Sequence, residues 1–89
     1  MPVQYKIKTE DVSYKLVENE VIVLNLKTGE YYTLDETGSF VWLLLEQKTS
    51  IDEIAGKLSK KYGIDKKVAF SDTKLLLKNF MKENLIFII

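Results

Sequence analysis

Residues 21–46, VIVLNLKTGEYYTLDETGSFVWLLLE, change their hydrophobic period at a single point, and that change decides the fold. Val21-Ile22-Val23-Leu24-Asn25-Leu26 is rich in β-branched residues and predicts the central strand of a sheet. Lys27-Thr28-Gly29 supplies a short turn, with Gly29 free to take a positive φ. Glu30–Leu34 then returns as the second arm of a hairpin, its aromatic and branched side chains suited to a pleated surface. At Asp35 the period becomes that of a helix. The Asp35 carboxylate is placed to cap the free amides of a helix that turns Phe40, Val41, Leu44 and Leu45 inward, with Trp42 near its edge. Gly38 weakens that helix by about 1 kcal/mol relative to Ala, which marks a place of close packing.

Upstream, Val12, Tyr14 and Leu16 alternate with Asp11, Ser13 and Lys15, the pattern of a half-buried strand, and Glu18-Asn19-Glu20 reads as the turn that follows it. Residues 3–8 also alternate, as either an extra edge strand or an extended arm would. Downstream, Gln47-Lys48-Thr49 is a turn. Ser50-Ile51-Asp52-Glu53 is a capping box, in which the Ser50 hydroxyl meets one free amide and Glu53 reaches back to another. The second helix carries Ile51, Ile54, Ala55 and Leu58 inward and stops at Tyr62-Gly63, where Gly63 suits a left-handed cap. A third helix either begins near Asp65 with Val68 or breaks at Ser71-Asp72. It runs through Leu75, Leu76, Leu77, Phe80 and Met81, and Asn84 ends it in a left-handed conformation. The tail Leu85-Ile86-Phe87-Ile88-Ile89 is too apolar to lie in water; it packs on the core, pairs with a strand or meets a partner.

Three strands followed by three helices predict an α+β fold, a winged-helix-like three-stranded antiparallel sheet with one face covered by helices. The chain of 89 residues makes one domain, 1–89, with its core over about 12–87. At 46% hydrophobic and 29% charged, the composition is globular. With no His and no Cys, an imidazole base, a cysteine nucleophile, a disulfide and the usual zinc site are all excluded. The start Met1-Pro2-Val3-Gln4-Tyr5-Lys6-Ile7-Lys8 has the apolar run of neither a signal peptide nor an anchor, and no segment approaches the roughly 20 apolar residues of a bilayer span. The expected setting is the cytoplasm, with no membrane insertion.

Thirteen basic residues balance thirteen acids, and every basic residue is a lysine. The balance is uneven along the chain. Residues 1–49 hold five lysines against eight acids, and residues 50–89 hold eight lysines against five. Lys74, Lys78 and Lys82 recur every four residues along one face of the third helix. They read as a solvated face, a cationic wall beside an acidic peptide, or a phosphate-binding face. The lack of Arg and of net charge counts against nucleic acid. The carboxylate pairs Asp35-Glu36 and Asp52-Glu53 sit in first turns, where acids are favoured, and adjacent helical residues do not face one another, so they cap rather than catalyse. The hairpin leaves sheet edges without an obvious guard, and an exposed edge can accept a peptide as a further strand. Along Glu30–Leu34 the alternation puts Tyr31 and Thr33 on one face and Tyr32 and Leu34 on the other.

The stretches VIVLNLKTGEYYTLDETGSFVWLLLE, TSIDEIAGKLSKKYG and LLKNFMKENLI together resemble the PqqD-like family, also described as RiPP recognition elements. Leu34, Asp35, Glu36, Thr37, Gly38 and Trp42 fit the family's strand-to-helix block. Ser50, Glu53, Ile54, Leu58 and Tyr62 fit its second block, and Leu76, Leu77, Phe80, Asn84 and Leu85 fit its third. Phe80 stands at a usual Leu and Asn84 at a usual Gly. The resemblance implies a non-catalytic protein without cofactor that binds the leader segment of a ribosomally made precursor peptide as an added strand. On this chain it nominates Glu30, Tyr31, Tyr32, Thr33 and Leu34, with apolar leader residues entering near Tyr31, Thr33, Leu77 and Met81 and leader acids drawn by Lys74, Lys78 and Lys82. A small free-standing member resembles the discrete recognition protein of lasso-peptide systems, which implies a separate leader peptidase or other maturation enzyme as partner. The alternatives are a PqqD-like peptide chaperone for a radical maturation enzyme, or a winged-helix nucleic-acid-binding protein.

Overall fold

The computed structural model describes residues 4–89. Its elements run β1 (Tyr5–Ile7), β2 (Val12–Val17), β3 (Glu20–Asn25), β4 (Tyr31–Thr33), α1 (Glu36–Glu46), α2 (Ile51–Tyr62), α3 (Lys66–Lys82) and β5 (Ile86–Ile88). β2, β3 and β4 form a three-stranded antiparallel sheet in that order, with Tyr14, Val23 and Tyr32 in register across it. Glu18 and Asn19 both take positive φ, so β2 and β3 are joined by the two-residue turn whose twist suits a hairpin. The longer β3–β4 turn is organised by Asn25, whose Oδ1 accepts the Lys27 and Thr28 amides at 2.9 and 3.2 Å, and by Gly29 at φ 77. Val12, Val21, Val23 and Asn25 face the helices and are buried.

The passage from sheet to helix is the tightest part of the molecule. Asp35 Oδ1 accepts the Gly38 amide at 2.7 Å, and a Cβ on Gly38 would lie 3.1 Å from that oxygen and 3.5 Å from Leu34 Cβ. The glycine therefore serves close packing, as its helix-weakening cost suggested. One turn into α1, Ser39 does something that the hydrophobic pattern does not reveal. The Leu34 amide donates to the Val21 carbonyl at 2.9 Å, but the reciprocal bond from Val21 N–H to Leu34 O is not made directly. Instead Val21 N–H donates to Ser39 Oγ at 2.8 Å, and Ser39 Oγ–H donates to the Leu34 carbonyl at 3.2 Å. A side chain from α1 thus completes the last rung of the β3–β4 ladder.

Trp42 is not at the helix edge. It is fully buried between Tyr14 and Phe80, each edge-on with ring centroids 5.4 and 5.3 Å away, and among the described residues its Nε1 has no hydrogen-bond partner. The large ring occupies the point where sheet, α1 and α3 meet, so volume outweighed the helical period there. The α2 capping box is also modified. Ser50 Oγ accepts the Glu53 amide at 3.3 Å, but the Glu53 carboxylate meets the Ser50 hydroxyl at 3.2 Å. Ile54, Ala55 and Leu58 are buried, and Gly63 ends α2 at φ 63. α3 is continuous from an Asp65 cap, without a break at Ser71-Asp72, and turns Val68 to solvent; Asn84 follows it at φ 60.

The two ends of the chain meet. β1 pairs antiparallel with β5, Lys6 opposite Phe87, in a separate two-stranded ribbon. Ile7, Leu85 and Ile86 thereby enter the core. The N-terminal alternation is thus an extra strand that joins the tail rather than the main sheet; Val3 lies outside the described residues. Among the described residues no helix is long and apolar enough to cross a membrane. Replacing Ser39 with Ala would leave the buried Val21 amide without an acceptor. We expect a loss of about 1–3 kcal/mol in urea unfolding and earlier amide exchange at Leu34, whereas Ser50→Ala, at an exposed cap, costs about 1 kcal/mol or less.

Candidate functional site

Of the two edge strands of the sheet, β4 is the shorter, and the register tells which of its backbone groups face away from β3. The Asn25 amide donates to Glu30 O at 2.9 Å and the Leu34 amide to Val21 O at 2.9 Å. Antiparallel ladders alternate, so Glu30, Tyr32 and Leu34 turn their backbone groups to β3, while Tyr31 and Thr33 turn theirs to the open edge. That edge therefore presents two N–H donors and two C=O acceptors. The side chains alternate in the opposite sense to the core. Tyr31 is 71% exposed on the outer face of the sheet, while Tyr32 and Leu34 are half-buried against the core.

Beside the edge runs a groove of about 360 Å³ between β4 and α3. Its apolar surface comes from Leu34, Leu76, Phe80 and Leu85, and Tyr32, Thr33, Asn79 and Glu83 supply its polar groups. Gly38 lies at the groove as well, where the lack of a side chain keeps α1 low. Leu76, Asn79, Phe80 and Glu83 stand at i, i+3, i+4 and i+7, one face of a helix. Tyr32 spans the groove, its hydroxyl donating to Glu83 Oε2 at 3.1 Å. The Tyr32 phenol is held above its ordinary pKa by partial desolvation, by the bond to Glu83 and by the Glu30 and Glu83 charges. Two similar pairs tie distant elements elsewhere, Tyr14 to Glu46 at 2.9 Å and Tyr62 to Glu36 at 2.8 Å.

The nominated residues divide. Tyr32, Thr33 and Leu34 line the groove, and Glu30 and Tyr31 lie at the same strand. Leu77 does not line it: at 1% exposure it is a core residue, part of the main hydrophobic cluster. Lys74 and Lys78 lie about 160° around the helix from Leu76, Met81 about 140° and Lys82 about 120°, so none of them lines the groove either. Leu76, Asn79 and Glu83 take those places. Their helical spacing is present in the sequence, but the lysines that recur every fourth residue lie on a different face from the groove. Nor is the groove cationic, since its charged side chains are Asp35 and Glu83. Among the described residues, no group of three or more Asp or Glu side chains could hold a metal ion.

The family described as Coenzyme PQQ synthesis protein D (PqqD) matches residues 20–86. No match is found among the curated proteins. Two solved structures superpose closely. One is TbiB1 in complex with the TbiA(beta) leader peptide, at 31% identity and TM-score 0.86, covering 91% of this chain and 93% of that one. The other is a lasso peptide synthetase B1 complexed with the leader peptide, at 18% identity and TM-score 0.86, covering 93% of this chain and 96% of that one; it bears on the fold alone.

Because Tyr32 bonds inward and Thr33 outward, proline separates their roles. Thr33→Pro removes an edge donor and keeps the internal ladder, so its melting temperature stays near that of the parent. Tyr32→Pro breaks a β3–β4 bond and lowers it clearly. Equal melting temperatures for the two variants would overturn the register. The raised Tyr32 pKa means that the folded state holds the phenol proton more tightly. The stabilisation is present below the ordinary tyrosine pKa and is lost as pH rises through the raised one. In Glu83→Gln, ultraviolet titration should find Tyr32 ionising at lower pH than in the parent.

Proposed function

The chain belongs to the PqqD family, and from that premise we propose that it binds the leader segment of a ribosomally made precursor peptide and presents it, without chemistry of its own, in lasso-peptide biosynthesis. The observation that carries the reading is the open β4 edge beside an apolar groove, in a chain 31% identical over 91% of its length to a protein held in complex with a leader peptide. The leader adds to the sheet as a fourth strand. Backbone bonds to Tyr31 and Thr33 give affinity that is independent of leader sequence, and side chains directed into the Leu34, Leu76 and Phe80 surface give selectivity.

The protein's part is positioning. With no His or Cys in the chain, bond making and breaking fall to partner enzymes, of which a leader peptidase is the first. Holding the leader extended lowers the entropic cost that such an enzyme would otherwise meet in a flexible peptide. Glu30, at the start of the strand, and Glu83, across the groove, make this end of the site acidic. The lysines once expected to gather leader acids are then free for another task.

An NMR titration of labelled protein with the leader encoded beside it tests the reading. Saturable shifts should concentrate at residues 30–35 and at Leu76, Asn79, Phe80 and Glu83, with little change at Lys74 or Lys78. Thr33→Pro should weaken binding by about tenfold or more, the equivalent of losing one or two well-formed hydrogen bonds. A folded protein that gives no shifts with the verified leader would remove the proposal and leave the fold.

A further inference from the structure

α3 carries its charges on two opposite sides. Its two acids nearest the groove, Asp72 and Glu83, lie within about 40° of Leu76, while Lys67, Lys74 and Lys78 cluster about 160–180° away. Among the described residues the ion pair is Lys27–Asp11, at 3.5 Å, so none of these three lysines is held in a direct ion pair. Like charges at positions 74 and 78 repel along a helix. The strip is not purely polar. Lys74 Nζ lies 5.7 Å from the Phe70 ring centroid, and half-buried Phe70 with Ala55 floors a depression of about 390 Å³ between α2 and α3. Lys66 and Lys67 rim it, with Asp52 as the one acid. Asp65, at the start of α3, is occupied with the Lys67 amide at 2.7 Å.

An apolar centre with a charged rim is the make-up of a protein interface. Its position on the far side of α3 leaves the groove clear, so both surfaces can be filled at once. We propose that the strip Lys67, Lys74 and Lys78, with the Phe70 depression at one end, docks the enzyme that receives the leader, and that this enzyme meets it with an acidic surface. The inference rests on the leader-binding reading above but uses none of its residues. Charge complementarity decides the occupant. A cationic strip attracts an acidic surface at long range and speeds its encounter, an effect that weakens as salt screens it.

The test replaces Lys67, Lys74 and Lys78 together with Glu, and in a second variant with Gln. Thermal melts and the near-ultraviolet signal of buried Trp42 check that both fold. Anisotropy of a labelled leader and titration of the leader-loaded protein with the co-encoded leader peptidase then read the two surfaces separately. We expect leader affinity within about twofold of the parent, peptidase affinity lower by about tenfold or more in the Glu variant, and an intermediate loss in the Gln variant. The parent's peptidase affinity should fall between about 50 and about 500 mM salt. Unchanged peptidase affinity would overturn the docking surface, and so would an equal loss of leader affinity. Lysine-dependent binding to a generic DNA duplex, tighter than to the peptidase, would assign the strip to nucleic acid instead. If the parent binds no leader, the reading of the groove fails, and titration of the leader-free protein with the same peptidase still decides the strip.

Discussion

A single hydroxyl ties together the end of this protein where β3, the close of β4 and α1 meet. Ser39 accepts the Val21 amide and donates to the Leu34 carbonyl, standing in for a missing ladder bond between β3 and β4. The two partners belong to different strands and the hydroxyl to α1, so three elements are fixed to one another at one buried point, where Ser39 is 2% exposed. A buried amide without an acceptor costs about 1–3 kcal/mol, a large share of the roughly 5–15 kcal/mol that stabilises a small domain. The same bridge sets the height of α1 over the sheet, which in turn requires Gly38 to approach Asp35 and Leu34 closely. β4 can therefore be short and still hold its place. Its outer edge is left unpaired without becoming loose.

The proposed function rests on what this arrangement leaves open. The core needs one face of α3, supplied by Ala69, Thr73, Leu77 and Phe80. The remaining surface of that helix divides into a groove side facing β4 and an outer side carrying lysine. Because one rigid helix forms both, a peptide in the groove and a protein on the outer side would be held in a fixed relation. The zero net charge of the chain conceals the division, since acids of the sheet and groove offset lysines of α2 and α3.

Much of the fold was legible in the sequence because its signals are local. The period change at Asp35, the Ser50 cap and the left-handed Gly63 and Asn84 each depend on a few neighbouring residues, and all appear as expected. Resemblance to the PqqD-like family pointed to the β4 edge, which the register leaves open. The misplacements came where distance in space decides. Trp42 sits at a helix position that looks marginal by period, yet it fills the gap between Tyr14 and Phe80. Leu77 is one residue from Leu76, and the 100° step between them separates core from groove.

By itself the sequence determined the three strands of the main sheet, the first two helices with their caps, and that the chain has no imidazole or thiol, because these depend on local backbone preference and residue type. Only the tertiary structure decided that the tail pairs with β1, that Ser39 completes the sheet, and that Glu83 rather than lysine faces the groove. Those are contacts between residues far apart in the chain. Their partners are selected by how sheet and helices pack around a shared core, and no short stretch of sequence carries that information.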